Sequence, residues 1–280
     1  MATESPKFDA AIADYYHRTP EEDRLAEGPF LLEALRTKDL IVRHGPAAPA
    51  VVIDIGGGAG AYALWLAEAG YSVHLLDASP RLIAEAERRS AASEAPLASC
   101  AAGDARATHF PDAAADMALL LGPLYHLTEK EDRLRALREA ARVLRPGGVL
   151  LAAGISRWAS ALDGLSRDLY RDPQFTAIVE QDLRDGQHRN PTARVDYFTT
   201  AYFHRPEELG EEVTAAGLIL ERVCGIEGPG WLFADLQARL EDEARRSDLL
   251  RVAHIFEAEP GLAGISAHLM AMARKPRGGK

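Results

Sequence analysis

The chain has 280 residues, 47% of them hydrophobic and 26% charged, an ordinary composition for a globular protein with a sizeable core. A formal net charge of −10 argues against the basic face on which phosphate-backbone binding depends, so no nucleic-acid partner is expected. The apolar runs are too short to span a membrane, and the polar start "MATESPKFD" lacks a signal-peptide core, so the expectation is a cytoplasmic protein without membrane contact.

Residues 6–45 read as helical, with Phe8, Ile12 and Tyr15 on one face. "TPEE" at 19–22 is a capping signal: Thr19 as cap, Pro20 at the first helical position, Glu22 reaching back. Gly28-Pro29 breaks or restarts the helix, and "HGPAAPA" at 44–50 is a linker. Strands and helices then alternate. Val51–Ile55 is a continuous apolar run, as in a strand buried on both faces. A helix is expected at 60–69, a strand at 71–76, a helix from the Ser79-Pro80 cap to about residue 90, and strands at 97–102 and 117–121. Thr128 and Glu131 predict a capping box for a helix whose inner face is Leu134, Leu137, Ala141 and Leu144. "RPGG" at 145–148 stops it before a fifth strand at 149–153. The alternation lapses over 156–204, with helices expected near 158–185. A helix at 205–216, a strand at 218–223, helices at 231–246 and 248–258 and a final strand at 265–273 complete the pattern.

Alternation of this kind predicts a parallel sheet covered by helices on both sides. Cys100 and Cys224 are too few for a disulfide framework and read as buried thiols, and the nine histidines show no tight metal-ligand spacing, so no metal is expected. His74, His188 and His204 read as structural.

The glycine loop "DIGGGAGA" begins at Asp54. Gly56, Gly58 and Ala61 satisfy G-x-G-x-x-A, and Asp77 lies where a ribose-binding acid belongs, which on its own fits NAD. Asp54 argues otherwise. A carboxylate beside the helix N-terminus repels a diphosphate and suits a ligand carrying positive charge. The lysine of a P-loop is also missing.

With those residues in view, "VIDIGGGAG" resembles the first motif of class I S-adenosylmethionine-dependent methyltransferases. "LLD" ending at Asp77, "AGDA" at 102–105, "DMALLLGPLYHL" at 116–127 and "EAARVLRPGGVLL" at 139–151 resemble the family's later motifs, in order. Gly57 departs from it, standing where many relatives carry a larger residue, which would loosen the loop. The resemblance implies an α/β, Rossmann-like, seven-stranded, mostly parallel sheet with helices on both faces and an antiparallel last strand. It implies S-adenosylmethionine as donor. Gly56 and Gly58 would touch its methionine part, Asp54 its ammonium, Asp77 and Ala78 its ribose, and Asp104 and Ala105 its adenine, with Leu121 beneath. Tyr15 and Tyr16 are adjacent on a helix, so one can pack inward while the other faces the pocket, the alternative being two core-edge tyrosines. Of the pair Tyr15 is expected to cover the donor, and Arg24 to bind its carboxylate, the alternative for Arg24 being a surface pair with Glu21 or Glu27. His126, just past the fourth strand, is the candidate catalytic base. Glu227 and Trp231 border the pocket or pack.

The expected organisation is one domain, 1–280: an N-terminal helical lid at 1–46, a donor-binding half at 47–155, a lid insertion at 156–204, and the rest of the sheet at 205–275 with a helical insertion at 227–263. The expected activity is methylation of a small molecule, in a bacterial setting that would suit a secondary metabolite. The alternatives are an NAD-dependent oxidoreductase and a donor-binding protein without transferase activity.

Overall fold

The computed structural model describes residues 10–19, 24–25, 28–257 and 259–278. Two helices lead, α1 (Ala10–Arg18) and α2 (Gly28–His44). Gly28 takes φ +57°, a left-handed geometry that restarts the helix cheaply only with glycine. Thr19 ends α1, its hydroxyl donating to the Tyr15 carbonyl at 2.9 Å. Phe8, Pro20 and Glu22 lie outside the described residues.

The alternating part follows: β1 (Val51–Ile55), α3 (Ala61–Glu68), β2 (Ser72–Asp77), α4 (Pro80–Ala92), β3 (Ser99–Ala102), β4 (Ala115–Leu120), α5 (Pro123–His126), α6 (Lys130–Val143) and β5 (Leu144–Ser156). The chain continues through α7 (Ala159–Ser166), α8 (Pro173–Asp185), β6 (Gln187–His188), β7 (Ala201–His204), α9 (Pro206–Ala215), β8 (Ile219–Gly225), α10 (Leu236–Glu241), α11 (Glu243–Glu257) and β9 (His268–Arg274). The main sheet runs β3-β2-β1-β4-β5-β9-β8, with β9 antiparallel to both neighbours. Its two faces pack separately. Leu137 and Val143 of α6 and Leu209 and Val213 of α9 cover one. Leu40 and Ile41 of α2, Leu66 of α3 and Ile83 of α4 cover the other. Double coverage explains why β1, β4 and the 149–153 stretch of β5 read as largely apolar.

Several local expectations are corrected. No Thr128–Glu131 box forms. Glu129 occupies the cap position, and the Thr128 carbonyl accepts from Arg133 at 2.9 Å. Arg133 is buried on α6 through an ion pair with Glu212 at 2.7 Å, turning Leu134 and Ala141 towards the margin of the buried face. Residues 231–246 are not one helix, because the chain turns at Asp242 between α10 and α11. Within 156–204 the expected helices are present, but β7 joins the sheet, pairing with the far end of β5 at Ile155–Phe203 and Ser156–His204. Cys100 is half-buried rather than buried. Among the described residues no helix is long and apolar enough to cross a membrane.

Of the histidines singled out, His74, His188 and His204 are held within the fold. His74 Nδ1 meets Ser99 Oγ at 2.8 Å. His188 is buried between Asp182 and the Tyr197 carbonyl, and His204 lies against Glu212.

Candidate functional site

A cavity of about 780 Å³ opens over the carboxyl ends of β1, β2, β3 and β4. This is where an open α/β sheet leaves a crevice. The glycine loop forms its floor. Gly56, Gly58 and Gly60 take φ +79°, +57° and +87°, and Gly56 N–H donates to the Leu76 carbonyl at 2.6 Å. A side chain on Gly56 would strike the Pro123 ring at 2.5 Å, so the backbone itself forms the wall.

Asp54 lies under this loop. It is 1% exposed, and among the described residues neither carboxylate oxygen has a hydrogen-bond partner. Burial, with Asp77 nearby, pushes its carboxyl up to about 7. Asp54 also explains Gly57. A Cβ there would stand 2.5 Å from Asp54 Oδ2, so glycine makes room for the carboxylate rather than loosening the loop.

Asp77 is held differently. Gly58 N–H donates to Oδ2 and Ser79 N–H to Oδ1, each at 2.8 Å. Each oxygen keeps a further lone pair for an incoming hydroxyl. Burial raises its pKa while the two amides hold it back. The Ser79 cap expected for α4 is present, its Oγ accepting from Leu82 N–H. Ala78, Ala105 and Leu121 line the same cavity, and so does Asp104. The Asp104 carboxylate is braced by Arg106, at 2.7 and 2.9 Å, and Arg106 also reaches Asp132 of α6 at 2.7 Å.

His126 lines the cavity at the end of α5, its Nε2 2.6 Å from the Tyr16 hydroxyl. The tyrosine expectation is thereby corrected. Tyr16 faces the cavity, whereas Tyr15 packs edge-on against Phe198 at 5.3 Å. Neighbours on a helix diverge by about 100°, so only one of the pair can point at the site. Arg24 lines the cavity too, and pairs with Glu33 of α2 at 3.0 and 3.4 Å. Glu21 and Glu27, its expected surface partners, lie outside the described residues.

Glu33 and Thr37 also line the cavity and were not singled out by sequence reasoning. Their signal was a charged and a polar residue within the buried stripe of α2, which continues through Leu40 and Ile41. Glu227 and Trp231 pack beside the site: Glu227 receives His268 Nδ1–H at 2.6 Å, and Trp231 donates to the Ile265 carbonyl.

Residues 53–152 match the model of a methyltransferase domain. That segment carries a methyltransferase domain, in keeping with the resemblance to the class I S-adenosylmethionine-dependent methyltransferases. It is 32% identical over 128 residues to a ubiquinone/menaquinone biosynthesis C-methyltransferase of Roseobacter denitrificans, a match covering 45% of this chain. The chain spans about half the length of that curated relative, 50%. Among solved structures it resembles a methyltransferase of Methanosarcina mazei, at TM-score 0.57 and 20% identity over 85% of this chain and 97% of the other. It also resembles the putative methyltransferase of Haloferax volcanii crystallised with its activator, at TM-score 0.62 and 18% identity over 97% and 100%.

The site fits the donor of that domain family, S-adenosylmethionine. A buried acid with no partner is stabilised by an ammonium group, and a diphosphate would meet both Asp54 and Asp77. Asp77 retains acceptor capacity where a ribose needs it. The bare backbone of Gly56–Gly58 allows close approach.

Proposed function

We propose that the protein transfers the donor's methyl group to a small-molecule acceptor, such as a secondary metabolite. The observation that carries the proposal is the bare carboxylate of Asp54 beside the glycine loop, which calls for a cation. Asp54 takes the ammonium, Arg24 the carboxylate, Asp77 and Ala78 the ribose, and Asp104 with Ala105 the adenine, above Leu121. When bound, the donor supplies an electrophilic methyl on a sulfonium, so alignment of the acceptor is a large part of catalysis. An oxygen or nitrogen acceptor must also lose a proton. Tyr16 and His126 form one hydrogen-bonded unit on the wall that can receive it: the Tyr16 oxygen accepts as its own proton passes to the imidazole.

The N-terminal helices and residues 156–204 act as a lid in this reading. α1 is held from two sides, with Arg81 of α4 donating to the Tyr16 carbonyl at 2.8 Å and Thr199 to that of Ala11 at 3.2 Å. An enclosed site excludes water and suits a small acceptor.

Calorimetry with S-adenosylhomocysteine and with NAD is the first test. The former alone should bind; binding of NAD instead would return the oxidoreductase reading. Labelled methyl transfer to a panel of small acceptors then separates an enzyme from a mere donor-binding protein. On an acceptor so found, His126→Ala should cut turnover by about 10²–10⁴-fold with donor affinity intact, and remove an ionisation from the rate profile.

A further inference from the structure

We propose that the acceptor carries a protonated amine, and that Glu33, which shares the cavity wall with Tyr62 and Tyr125, anchors it. The inference rests on the methyltransferase reading of the cavity and names the class of molecule that cavity takes. Glu33 is 8% exposed, yet lines the cavity with Tyr16, Tyr62, Tyr125 and His126. It sits in a chain of alternating charge that runs from the cavity wall into the fold. Arg24 bonds both its oxygens, at 3.0 and 3.4 Å. His268 Nδ1 lies 3.8 Å from its Oε2 and is itself held by Glu227 at 2.6 Å.

A carboxylate offers about four lone-pair sites. Arg24 uses two of them, and 3.8 Å is too long for a hydrogen bond. Glu33 therefore presents spare acceptor capacity to the cavity. Burial alone would raise its pKa, but Arg24 and His268 outweigh burial and hold it below the ordinary carboxylate range. Glu33 thus stays charged at neutral pH and serves as an anchor rather than a base.

The aromatic neighbours favour a cationic donor over a neutral one. Tyr62 is buried, and its hydroxyl feels the charge of Glu33 and the nearby Tyr125. Tyr125 packs on His126 at 4.7 Å between ring centres, which extends the aromatic wall to Tyr16. A carboxylate that shares a cavity wall with tyrosines can hold an ammonium by charge, with cation–π attraction added by the rings. Arg24 is a poorer anchor for an acidic acceptor, because in this reading the donor's carboxylate claims it. An ammonium held on Glu33 has no lone pair and cannot accept the methyl. The acceptor therefore carries a second nucleophile, a hydroxyl or another nitrogen, which meets Tyr16 and His126.

Three probes with one phenyl ring test this: 2-phenylethylamine, 2-phenylethanol and phenylacetate. Each is titrated by calorimetry or saturation-transfer NMR into protein saturated with S-adenosylhomocysteine. The amine should bind at least about tenfold tighter than the other two, as loss of a charge-assisted bond implies. Glu33→Gln should abolish that preference while S-adenosylhomocysteine affinity stays within about threefold. Glu33→Asp, which keeps the charge, should retain the preference at several-fold weaker amine affinity, and it serves alone if the glutamine variant does not fold. Equal binding of the three probes, tightest binding of the acid, or a preference that survives Glu33→Gln would overturn the anchor while leaving the donor reading intact. Failure of S-adenosylhomocysteine to bind the wild type would overturn both.

Discussion

Replacing Asp54 by asparagine keeps the shape of the side chain and removes its charge, which asks whether that charge is kept for a ligand. Burial, then the charge of Asp77, moves this carboxyl from an ordinary 3.8 to about 7 in the folded chain. A group whose pKa is higher folded than unfolded binds protons more tightly in the folded state. Its contribution to stability is therefore full below about pH 3.8, falls as pH rises towards about 7, and is lost above that. At ~1.4 kcal/mol per tenfold change in proton affinity, the difference between 3.8 and about 7 bounds the loss at roughly 4 kcal/mol. Asparagine inherits a site without partners, which costs about 1–3 kcal/mol. The net gain for Asp54→Asn at pH 8 is then about 1–3 kcal/mol, or roughly 3–10 °C in melting temperature for a chain of this size.

The assay is thermal unfolding of both proteins without donor, from about pH 5 to 8, with calorimetric titration of S-adenosylhomocysteine alongside. The variant should melt higher at pH 8, and the gap should narrow as pH falls. Donor affinity should drop by about ten- to a hundredfold, the loss of one charge-assisted bond. A variant that melts lower at pH 8, or a gap independent of pH, would refute the account of a strained, unpartnered charge. Unchanged affinity would refute its role in holding the ammonium.

Asp77→Ala should weaken S-adenosylhomocysteine by about ten- to a hundredfold in calorimetry, since it removes both the ribose acceptor and the brace on Gly58; unchanged binding would reject the assignment. Gly57→Ala should destabilise the fold by about 1–3 kcal/mol in thermal unfolding, because its methyl would meet Asp54 Oδ2 at 2.5 Å. Full stability would mean that the acid gives way freely. Hydrogen exchange across α1 and residues 156–204 should slow when donor and acceptor analogues are added. Slowing confined to 54–60 and 77–105 would reject the lid.

The order of elements and the donor loop were legible in the sequence because both are local. A strand buried on both faces is largely apolar, and a turn at φ above zero favours glycine; β1, Asp54 apart, carries the first mark and Gly56, Gly58 and Gly60 the second. What was not legible depends on contacts between distant segments. The choice between Tyr15 and Tyr16 is decided by Phe198 on one side and His126 on the other. The failure of the Thr128 box follows from Arg133, which takes the Thr128 carbonyl and buries itself against Glu212, 79 residues away. β7 is short and meets β5 through two residue pairs, too little to mark a pattern. Glu33 was hidden by a sound prior, that a charge on a helix faces water. Here Arg24 and His268 reverse it.

Three of the acids around the cavity, Asp77, Glu33 and Asp54, are held in three ways, and the contrast assigns them different work. Asp77 is satisfied by two backbone amides, so it is fixed in place before any ligand arrives and its spare lone pairs suit neutral hydroxyls. Glu33 is offset by Arg24 and His268, so it stays ionised and keeps a constant charge on the wall. Asp54 has neither kind of support and is pushed up to about 7, so near neutral pH it hovers between its two forms. Of the three, Asp54 therefore gains most when a cation arrives, because that event supplies its missing partner and ionises it together. Binding of the ammonium should then release protons near pH 7, and affinity should rise with pH up to that point. Above about pH 8 affinity should fall again, as the ligand's own amine loses its charge. Calorimetry in buffers of different ionisation enthalpy reads the proton release directly. A donor affinity that is flat between pH 6 and 8, with no proton uptake or release, would place the ammonium elsewhere and leave Asp54 without a function in binding.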